Sequence, residues 1–345
     1  MEISAIDQNF RIETKIERPD IRFYNAQSAP FRIYGLFHED GRFRRLPEAV
    51  AREVNEKVLA LHVCTAGGRV RFMTDSPYIA IHAKMREIRK MSHFAVSGSA
   101  GFDLYLDNQY AKTFIPPFSV TDGYESVVDL PSSVMREVTV HFPLSSGVDE
   151  LYIGIRQGAR LEEAPSYAVE TPIVYYGSSI TQGGCASRPG NAYQAHIARA
   201  LNADFVNLGF SGSARGERAI AEYISTLTMS AFVYDYDHNA PTVEELSRTH
   251  EKMFRVIREA NPTLPILMLS RPKFRYTDEE LDRLAVIRRT YDNAIARGDE
   301  NVYFIDGREL MAFCGGEGTV DNCHPNDLGF YSMAKTLLPY LQKIL

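Results

Sequence analysis

Hydrophobic and polar residues follow two different periods along this 345-residue chain. Up to about residue 155, short apolar segments of strand length alternate with turn signals such as Ala66-Gly67-Gly68 and Ser145-Ser146-Gly147. The predicted strands cover residues 58–63, 70–73, 78–83, 102–106, 137–142 and 151–155. Strands at this spacing are typical of antiparallel sandwiches. The first half is therefore predicted to be a jelly-roll-like β-sandwich, with one short helix near residues 46–54.

From about residue 172 the period changes, and apolar runs alternate with helical patterns. The predicted strands cover residues 173–176, 205–208, 232–236, 266–269 and 302–305. Thr242 with Glu245, and Thr277 with Glu280, have the spacing of capping boxes that open two long helices. Alternation of this kind predicts a parallel sheet with helices on both faces. The polar segment 157–170 is the predicted linker, which places domains at 1–165 and 166–345.

Composition narrows the class of protein. The net charge of −6 argues against a nucleic-acid partner, which would be bound by a basic face. No apolar run approaches the ~20 residues that a membrane helix needs, so no membrane partner is expected. The first seven residues lack the basic and apolar regions of a signal peptide, so we expect a cytoplasmic protein, or a secreted one if a signal has been trimmed.

The cysteines indicate packing residues better than they indicate a disulfide framework. They are Cys64, Cys185, Cys314 and Cys323. None has CxxC spacing, so neither a disulfide framework nor a zinc site is predicted. Asp235, Asp237 and His238 mimic a metal cluster in the sequence, but we predict no metal and no cofactor.

Four polar segments follow the predicted parallel strands, and each carries a residue with a place in acyl transfer. Ser179 follows the first strand at a turn into a helix, Gly212 follows the second, and Asn239 the third. His324 and Asp321 follow the fifth. Because the carboxyl ends of parallel strands meet at one edge of the sheet, these residues are predicted to form a serine–histidine–aspartate triad. The backbone amides of Ser179 and Gly212 and the side chain of Asn239 are the predicted oxyanion donors.

These segments resemble the four blocks of the SGNH, or GDSL-type, hydrolase family over residues 172–345. The blocks match at 177–183, at 207–212, at Asn239, and at Asp321, His324 and Pro325. The resemblance implies a flavodoxin-like three-layer α/β/α domain that acts as an esterase. Ser178 replaces the family's aspartate, Ile180 its leucine, and Asp237 and His238 the glycines before the third block.

A second resemblance covers the first half. The run Gly101-Phe102-Asp103-Leu104-Tyr105 is similar to the signature of the GxDLY domain, a β-sandwich that precedes SGNH domains in one subgroup. The resemblance implies an esterase acting on acylated carbohydrates, with acetyl as the favoured acyl group. At least some relatives transfer acyl groups instead. The predicted partner is therefore a small-molecule or oligosaccharide acyl ester.

Four further residues are candidates for substrate contacts. Arg188, Arg215 and Glu217 lie on loops after the first two parallel strands, and His238 precedes Asn239. Alternatively, the two arginines and the glutamate pair among themselves and His238 is a partly exposed loop residue. The three functions left open are an esterase, an acyltransferase using the same serine, and a non-catalytic carbohydrate-binding protein. The last is disfavoured because every member of the triad is present. The oligomeric state stays open, a homo-oligomer included.

Overall fold

The computed structural model describes residues 16–345. The N-terminal residues on which the expectation about a signal peptide rests lie outside this range. Antiparallel sheets occupy the first half, and a parallel five-stranded sheet occupies the second. The predicted fold class is thus confirmed.

The sandwich packs two antiparallel sheets around a shared apolar core. One sheet has the order β1-β11-β6-β9 and the other the order β12-β5-β10-β7-β8, with β2 also paired to β5. Core residues come from both, for example Ile81 from the first sheet and Phe72 and Val140 from the second. In chain order the strands are β1 (Ile21–Asn25), β2 (Arg32–Tyr34), β3 (Phe37–Glu39), β4 (Arg42–Arg44), β5 (Arg69–Thr74), β6 (Tyr78–Arg86), β7 (Phe102–Leu106), β8 (Gln109–Phe114), β9 (Gly123–Asp129), β10 (Arg136–His141), β11 (Gly147–Arg156) and β12 (Leu161–Glu162).

The strand predicted at residues 58–63 is wrong, because this segment lies in a helix. The helices of the first half are α1 (Glu48–Val54), α2 (Glu56–Leu61) and α3 (Val96–Ser99). The Asn55 side chain caps α2 by accepting a hydrogen bond from the Val58 N–H at 2.8 Å. Val58 and Leu61, three residues apart, are both buried. A short apolar run fits a strand or a helix equally well, and here the Asn55 cap favours the helix.

The parallel sheet has the strand order β14-β13-β15-β16-β17. Numbered within this half, the order is 2-1-3-4-5, as in flavodoxin-like folds. Gly177 at the end of β13 lies opposite Gly209 of β14 and Asp235 of β15. The strands are β13 (Val169–Gly177), β14 (Ala203–Gly209), β15 (Ala231–Asp235), β16 (Ile266–Leu269) and β17 (Val302–Ile305). The α-helices are α4 (Ser179–Gln182), α5 (Tyr193–Leu201), α6 (Arg218–Ser225), α7 (Val243–Ala260), α8 (Asp278–Ala296), α9 (Gly307–Leu310) and α10 (Asp327–Ile344).

The capping signals produce two different helix starts. The Thr277 side chain accepts from the Glu280 N–H, and the Glu280 side chain accepts from the Thr277 N–H, which is a complete capping box. Thr242 also accepts from the Glu245 N–H. The Glu245 carboxylate instead pairs with Arg248, so α7 begins with half of the predicted box.

Helices cover both faces of the parallel sheet, as predicted. One face packs against α6, α7 and α8, and the other against α5 and α10. Two helices of the first half, α1 and α2, contribute Ala51, Val54 and Val58 to the first of these cores. The domain boundary between residues 165 and 166 stays a prediction, since the two halves share a core. No helix within residues 16–345 has the length and apolarity needed to cross a membrane.

The guanidinium of Arg45 bonds the two halves together from a buried position. Its Nη1 donates to the backbone oxygens of Asn207 at 3.1 Å and Gly209 at 2.7 Å, both in β14. Its Nε donates to Cys64 O at 2.5 Å and its Nη2 to Leu61 O at 3.0 Å. Only 2% of Arg45 is exposed. The two bonds to β14 satisfy carbonyl groups just before the loop that carries Gly212.

Replacing Arg45 with alanine is expected to destabilise the protein by at least about 3 kcal/mol, because several buried carbonyls lose their donor. Arg52→Ala is the matched control, since Arg52 is exposed and pairs with Glu48 one helical turn away. That control should cost less than about 1 kcal/mol. Differential scanning calorimetry of both variants provides the comparison. Equal melting temperatures for the two variants would contradict the bridging role of Arg45.

Candidate active site

The predicted nucleophile lies at a tight turn between β13 and α4. Ser178 is the N-cap of α4, and its hydroxyl accepts from the Ile180 N–H at 3.1 Å. The Ser178 N–H donates to Asp235 O of the neighbouring strand at 3.1 Å. Serine thus replaces the family's aspartate with another good capping residue. Ser179 is the first residue of α4, and its N–H has no backbone acceptor among residues 16–345.

The structure brings the three predicted triad residues into direct contact. Ser179 Oγ lies 2.9 Å from His324 Nε2. His324 Nδ1 lies 2.8 Å from Asp321 Oδ2, and the His324 N–H donates to Asp321 Oδ1 at 2.7 Å. One carboxylate therefore fixes both the ring and the backbone of the histidine. This geometry is what a general base needs to accept a proton from a hydroxyl nucleophile.

Electrostatics keep Asp321 ionised and the neighbouring thiols neutral. Partial burial raises the pKa of Asp321, but the hydrogen bonds from His324 outweigh it and set the pKa below its ordinary value. Burial, with Asp321 nearby, raises the pKa of Cys185 to about 12. Burial also raises the pKa of Cys323. Because the thiolate is the reactive form of cysteine, these protonated thiols are poor nucleophiles.

Two of the predicted oxyanion donors, Gly212 and Asn239, lie on loops joined by a hydrogen bond. Gly212 has φ +66°, and a β-carbon there would meet no atom within 4 Å, so this residue faces open space. Its N–H has no backbone acceptor among the described residues. Asn239 Nδ2 donates one hydrogen to Phe210 O at 2.9 Å. The second hydrogen of that amide remains available for a substrate oxygen.

Two arginines explain why Asp237 stands where the family has glycine. Asp237 Oδ1 accepts from Arg271 Nη2 at 3.0 Å, and Arg283 Nη1 donates to Asp237 O at 3.1 Å. Asp237 is 1% exposed. Although burial raises it, the pKa of Asp237 lies below its ordinary value because of Arg271. The ion pairs fix the 3₁₀ turn Asp237–Asn239 and with it the position of Asn239.

His238 lies beside the loop that carries His324. Its Nδ1 is 3.6 Å from Cys323 Sγ. Its Nε2 is buried and has no hydrogen-bond partner within residues 16–345. Burial, with Arg271 nearby, lowers the pKa of His238 to about 3. This imidazole is therefore uncharged at neutral pH. It lies near the candidate site, which it can line with a polar but neutral group.

The sandwich domain contributes two residues that the sequence reasoning missed. The segment between β6 and α3 places His93 and Phe94 against His324, with ring centroids 5.7 Å and 6.3 Å away. A β-carbon on Gly184 would come within 2.9 Å of the Phe94 ring, so glycine makes room for this contact. Nothing in the sequence signals the contact with His324, because more than 200 residues separate His324 from His93 and Phe94.

Arg188 contacts the sandwich and not the triad. Its Nη1 donates to Asp103 Oδ2 at 2.9 Å and to Tyr105 Oη at 2.7 Å. Asp103 Oδ2 also accepts from the Gly190 N–H at 2.7 Å, and Asp103 Oδ1 accepts from Thr113 Oγ1 at 2.6 Å. The aspartate and tyrosine of the GxDLY signature thus hold the loop that follows the nucleophile helix. A substrate contact by Arg188 stays a prediction.

Arg215 and Glu217 do not form the side-chain pair considered above. Glu217 Oε2 accepts from the backbone N–H of Arg215 at 3.1 Å. Glu217 Oε1 accepts from Asn55 Nδ2 at 2.6 Å. Within the described residues, neither side chain hydrogen-bonds to a member of the triad. Their predicted substrate contacts are untested by this geometry.

Within residues 16–345, two groups of potential metal ligands include His324. They are His93 with Cys185 and His324, and Asp321 with Cys323 and His324, with ligand atoms within 4.8 Å of one another. In both groups one ligand is the imidazole of His324. Its two nitrogens already lie within hydrogen-bond distance of Ser179 and Asp321. Asp235, Asp237 and His238, which mimic a metal cluster in the sequence, are not one of these groups. Asp237 is instead paired with Arg271 and Arg283.

The chain belongs to the GDSL-like lipase/acylhydrolase family, whose model matches residues 170–342. A second family model, for the N-terminus of SGNH-hydrolase-type esterases (GxDLY), matches residues 21–161. Both resemblances drawn from the sequence are thereby confirmed, and the chain is an acylhydrolase of the SGNH type. No curated protein matches the chain.

Solved structures share both halves of the fold. A protein from Bacteroides ovatus described as a GDSL-like lipase is 28% identical with a TM-score of 0.84, over 94% of this chain and 98% of that one. The salicylyl-acyltransferase of a tetracycline biosynthetic pathway is 21% identical with a TM-score of 0.77, over 95% and 98%. An acetyl xylan esterase from Butyrivibrio proteoclasticus is 14% identical with a TM-score of 0.62, over 94% and 98%.

Asp235 is an unusual carboxyl group directly behind the nucleophile turn. It is 1% exposed, and neither of its oxygens has a hydrogen-bond partner among residues 16–345. Burial, reinforced by Asp237 and opposed by Arg271, raises the pKa of Asp235 to about 8. The carboxyl group is therefore protonated at neutral pH in the folded protein. In the unfolded chain an aspartate ionises near pH 3.9.

Because the folded pKa of Asp235 is the higher one, its contribution to stability is fully present below about pH 4 and is lost as the pH rises to about 8. Asp235→Asn keeps the shape and cannot ionise. We therefore expect the stability of this variant, relative to the wild type, to increase from pH 5 to pH 8. The slope should be at most about 1.4 kcal/mol per pH unit. Urea unfolding of both proteins at three pH values measures it; a difference independent of pH would contradict a protonated Asp235.

Proposed function

We propose that this protein is a serine esterase that removes acyl groups, acetyl in particular, from carbohydrate esters. The observation that carries the proposal is the hydrogen-bonded series from Ser179 through His324 to Asp321, with separations of 2.9 and 2.8 Å. It lies where the parallel strands end, on a partly open surface. The acylhydrolase class follows from the family, and the residue roles and the substrate are the proposal.

In the proposed mechanism, Ser179 Oγ attacks the ester carbonyl carbon while its proton passes to His324 Nε2. The backbone amides of Ser179 and Gly212 and the side-chain amide of Asn239 stabilise the negative charge on the carbonyl oxygen. His324 then protonates the departing alcohol, and the acyl group remains on Ser179. Water attacks this acyl-enzyme with His324 again as the base, which releases the acid and restores Ser179. Asp321 stabilises the protonated imidazole.

The carbohydrate substrate is supported by the kinds of enzymes that share the two-domain fold. One is described as an acetyl xylan esterase, and another, from Cellvibrio japonicus, as a family two carbohydrate esterase. Their identities with this chain are low. The shared fold is therefore support for the substrate class alone, and the sugar has to be identified by the test below.

Acyl transfer to a second alcohol is the alternative function. The observation that favours it is the likeness to the salicylyl-acyltransferase, which covers 95% of this chain. Both reactions pass through the same acyl-enzyme on Ser179, and they differ in whether water or an alcohol accepts the acyl group. Product analysis with added acceptor alcohols separates the two.

Wild-type protein is expected to remove acetyl groups stepwise from acetylated xylo- or manno-oligosaccharides, as mass spectrometry would show. Ser179→Ala should lose this activity by a factor on the order of 10⁴ or more, because the acyl-enzyme cannot form. Ser178→Ala is the matched control: it removes only the helix cap, which costs about 1 kcal/mol of stability. Turnover retained by Ser179→Ala, or lost equally in both variants, would contradict the assignment of the nucleophile.

A further inference from the structure

A cavity of about 200 Å³ lies beside the predicted oxyanion loop. On the catalytic side it is lined by Ser211, Ser213 and Gln182. The two serines flank Gly212, and Gln182 ends the helix that Ser179 begins. The Ser211 N–H donates to Gln182 Oε1 at 3.0 Å, which bonds this wall to the nucleophile helix. The cavity therefore borders the Gly212 loop and the end of α4, the two segments that carry the proposed oxyanion donors Gly212 and Ser179.

The sandwich half supplies the opposite wall. Two segments contribute most of it, helix α2 and the chain that follows β6, together with one serine before β11. The residues are Lys57, Ala60, Leu61, Arg89, Met91 and Ser145. The cavity thus exists only where the two halves of the chain meet.

The charged side chains on this wall are positive, and neither forms an ion pair within residues 16–345. Arg89 Nη2 donates to Ala60 O at 3.0 Å, which positions the guanidinium. Its buried Nε has no hydrogen-bond partner in the part of the chain that the structure describes. Glu87, two residues earlier, pairs with Arg42 at 3.6 Å and does not line the cavity. Together with Lys57, Arg89 gives the cavity two cations and no carboxylate.

A small cleft with cations on one wall concentrates anions, because its low-dielectric surroundings focus the field. The planar guanidinium also matches a carboxylate in shape. We propose that this cavity binds an anionic substituent, such as a carboxylate, carried by the ester substrate. The inference rests on the proposed esterase function and narrows its substrate class to acidic esters.

The substituent has two sources with the same chemistry. It belongs either to the acyl group, as in a dicarboxylic half-ester, or to the alcohol, as in a uronic acid that is acylated on a hydroxyl group. The cavity is smaller than the roughly 300–1,000 Å³ of pockets for drug-sized ligands. It therefore suits one charged group with a short connecting chain, not a whole sugar chain.

Two pairs of esters test both sources, each pair matched in shape and differing in charge. Monoethyl succinate against ethyl succinamate places the charge on the acyl side. The anion of 3-acetoxybenzoic acid against 3-acetoxybenzamide places it on the alcohol side. In at least one pair, kcat/KM of the wild type should favour the anion by about 10–100-fold, because hydrogen bonds to charged groups are the strong ones.

The ratio of anion to amide within each variant removes general effects on activity. Arg89→Ala and Lys57→Ala should each lower the ratio about tenfold, and added salt should lower it in the wild type. Lys112→Ala is the control, since Lys112 is an exposed cation on β8 that does not line the cavity. It should leave the ratio unchanged.

Two results would overturn the inference while leaving the esterase intact. One is Ser179-dependent hydrolysis with ratios near one in both pairs, which would give the cavity to neutral groups. The other is a preference for the anion that survives both substitutions. Failure of the wild type to hydrolyse any of the four esters in a Ser179-dependent way would contradict the esterase proposal itself, and this inference with it.

Discussion

The parallel sheet leaves backbone polar groups without partners on its edge strand β14 and in the loops at its carboxyl ends, and buried groups of this kind must be hydrogen-bonded. The rest of the structure depends on how the sandwich supplies those partners. Arg45 binds the carbonyls of Asn207 and Gly209 ahead of the Gly212 loop. Asp103 binds Arg188 and Gly190 behind the nucleophile helix. Hydrogen bonds from the first half thereby hold segments of the candidate site in the second half.

This constraint gives the GxDLY signature a physical meaning. Its aspartate is fully buried and accepts hydrogen bonds from both halves of the chain. Its tyrosine hydroxyl accepts a second hydrogen bond from Arg188. The signature is therefore an interdomain contact. The same reasoning accounts for the cavity beside Gly212, because its two cations come from the sandwich side and Ser211 and Ser213 from the loop that carries Gly212.

Much of the catalytic half could be predicted from the sequence, since buried parallel strands are continuous apolar runs. The strands at Ile266–Leu269 and Val302–Ile305 have the bounds that were expected. The four polar segments after the strands also had to converge, because the topology brings strand ends together. The first half was harder to predict. The run around Val58 is a helix because Asn55 caps it, and an isolated apolar segment does not show this.

Contacts between distant parts of the chain account for the remaining differences. Arg188 is held by Asp103, 85 positions away, and the ring of Phe94 packs near His324. Neither pairing has a local signal. Asp237 departs from the family pattern in sequence, yet Arg271 and Arg283 make that departure a stable feature. Substitutions in a motif are thus best interpreted together with the charges that surround them.

The most direct test of this account is mass spectrometry of the protein quenched during turnover of a slowly hydrolysed ester. An acyl adduct located by fragmentation on Ser179 should accumulate in the wild type and be absent from His324→Ala. Burial keeps the thiols of Cys185 and Cys323 protonated, so neither should carry the acyl group. An adduct on either cysteine, or turnover in which Ser179 is never acylated, would contradict the account.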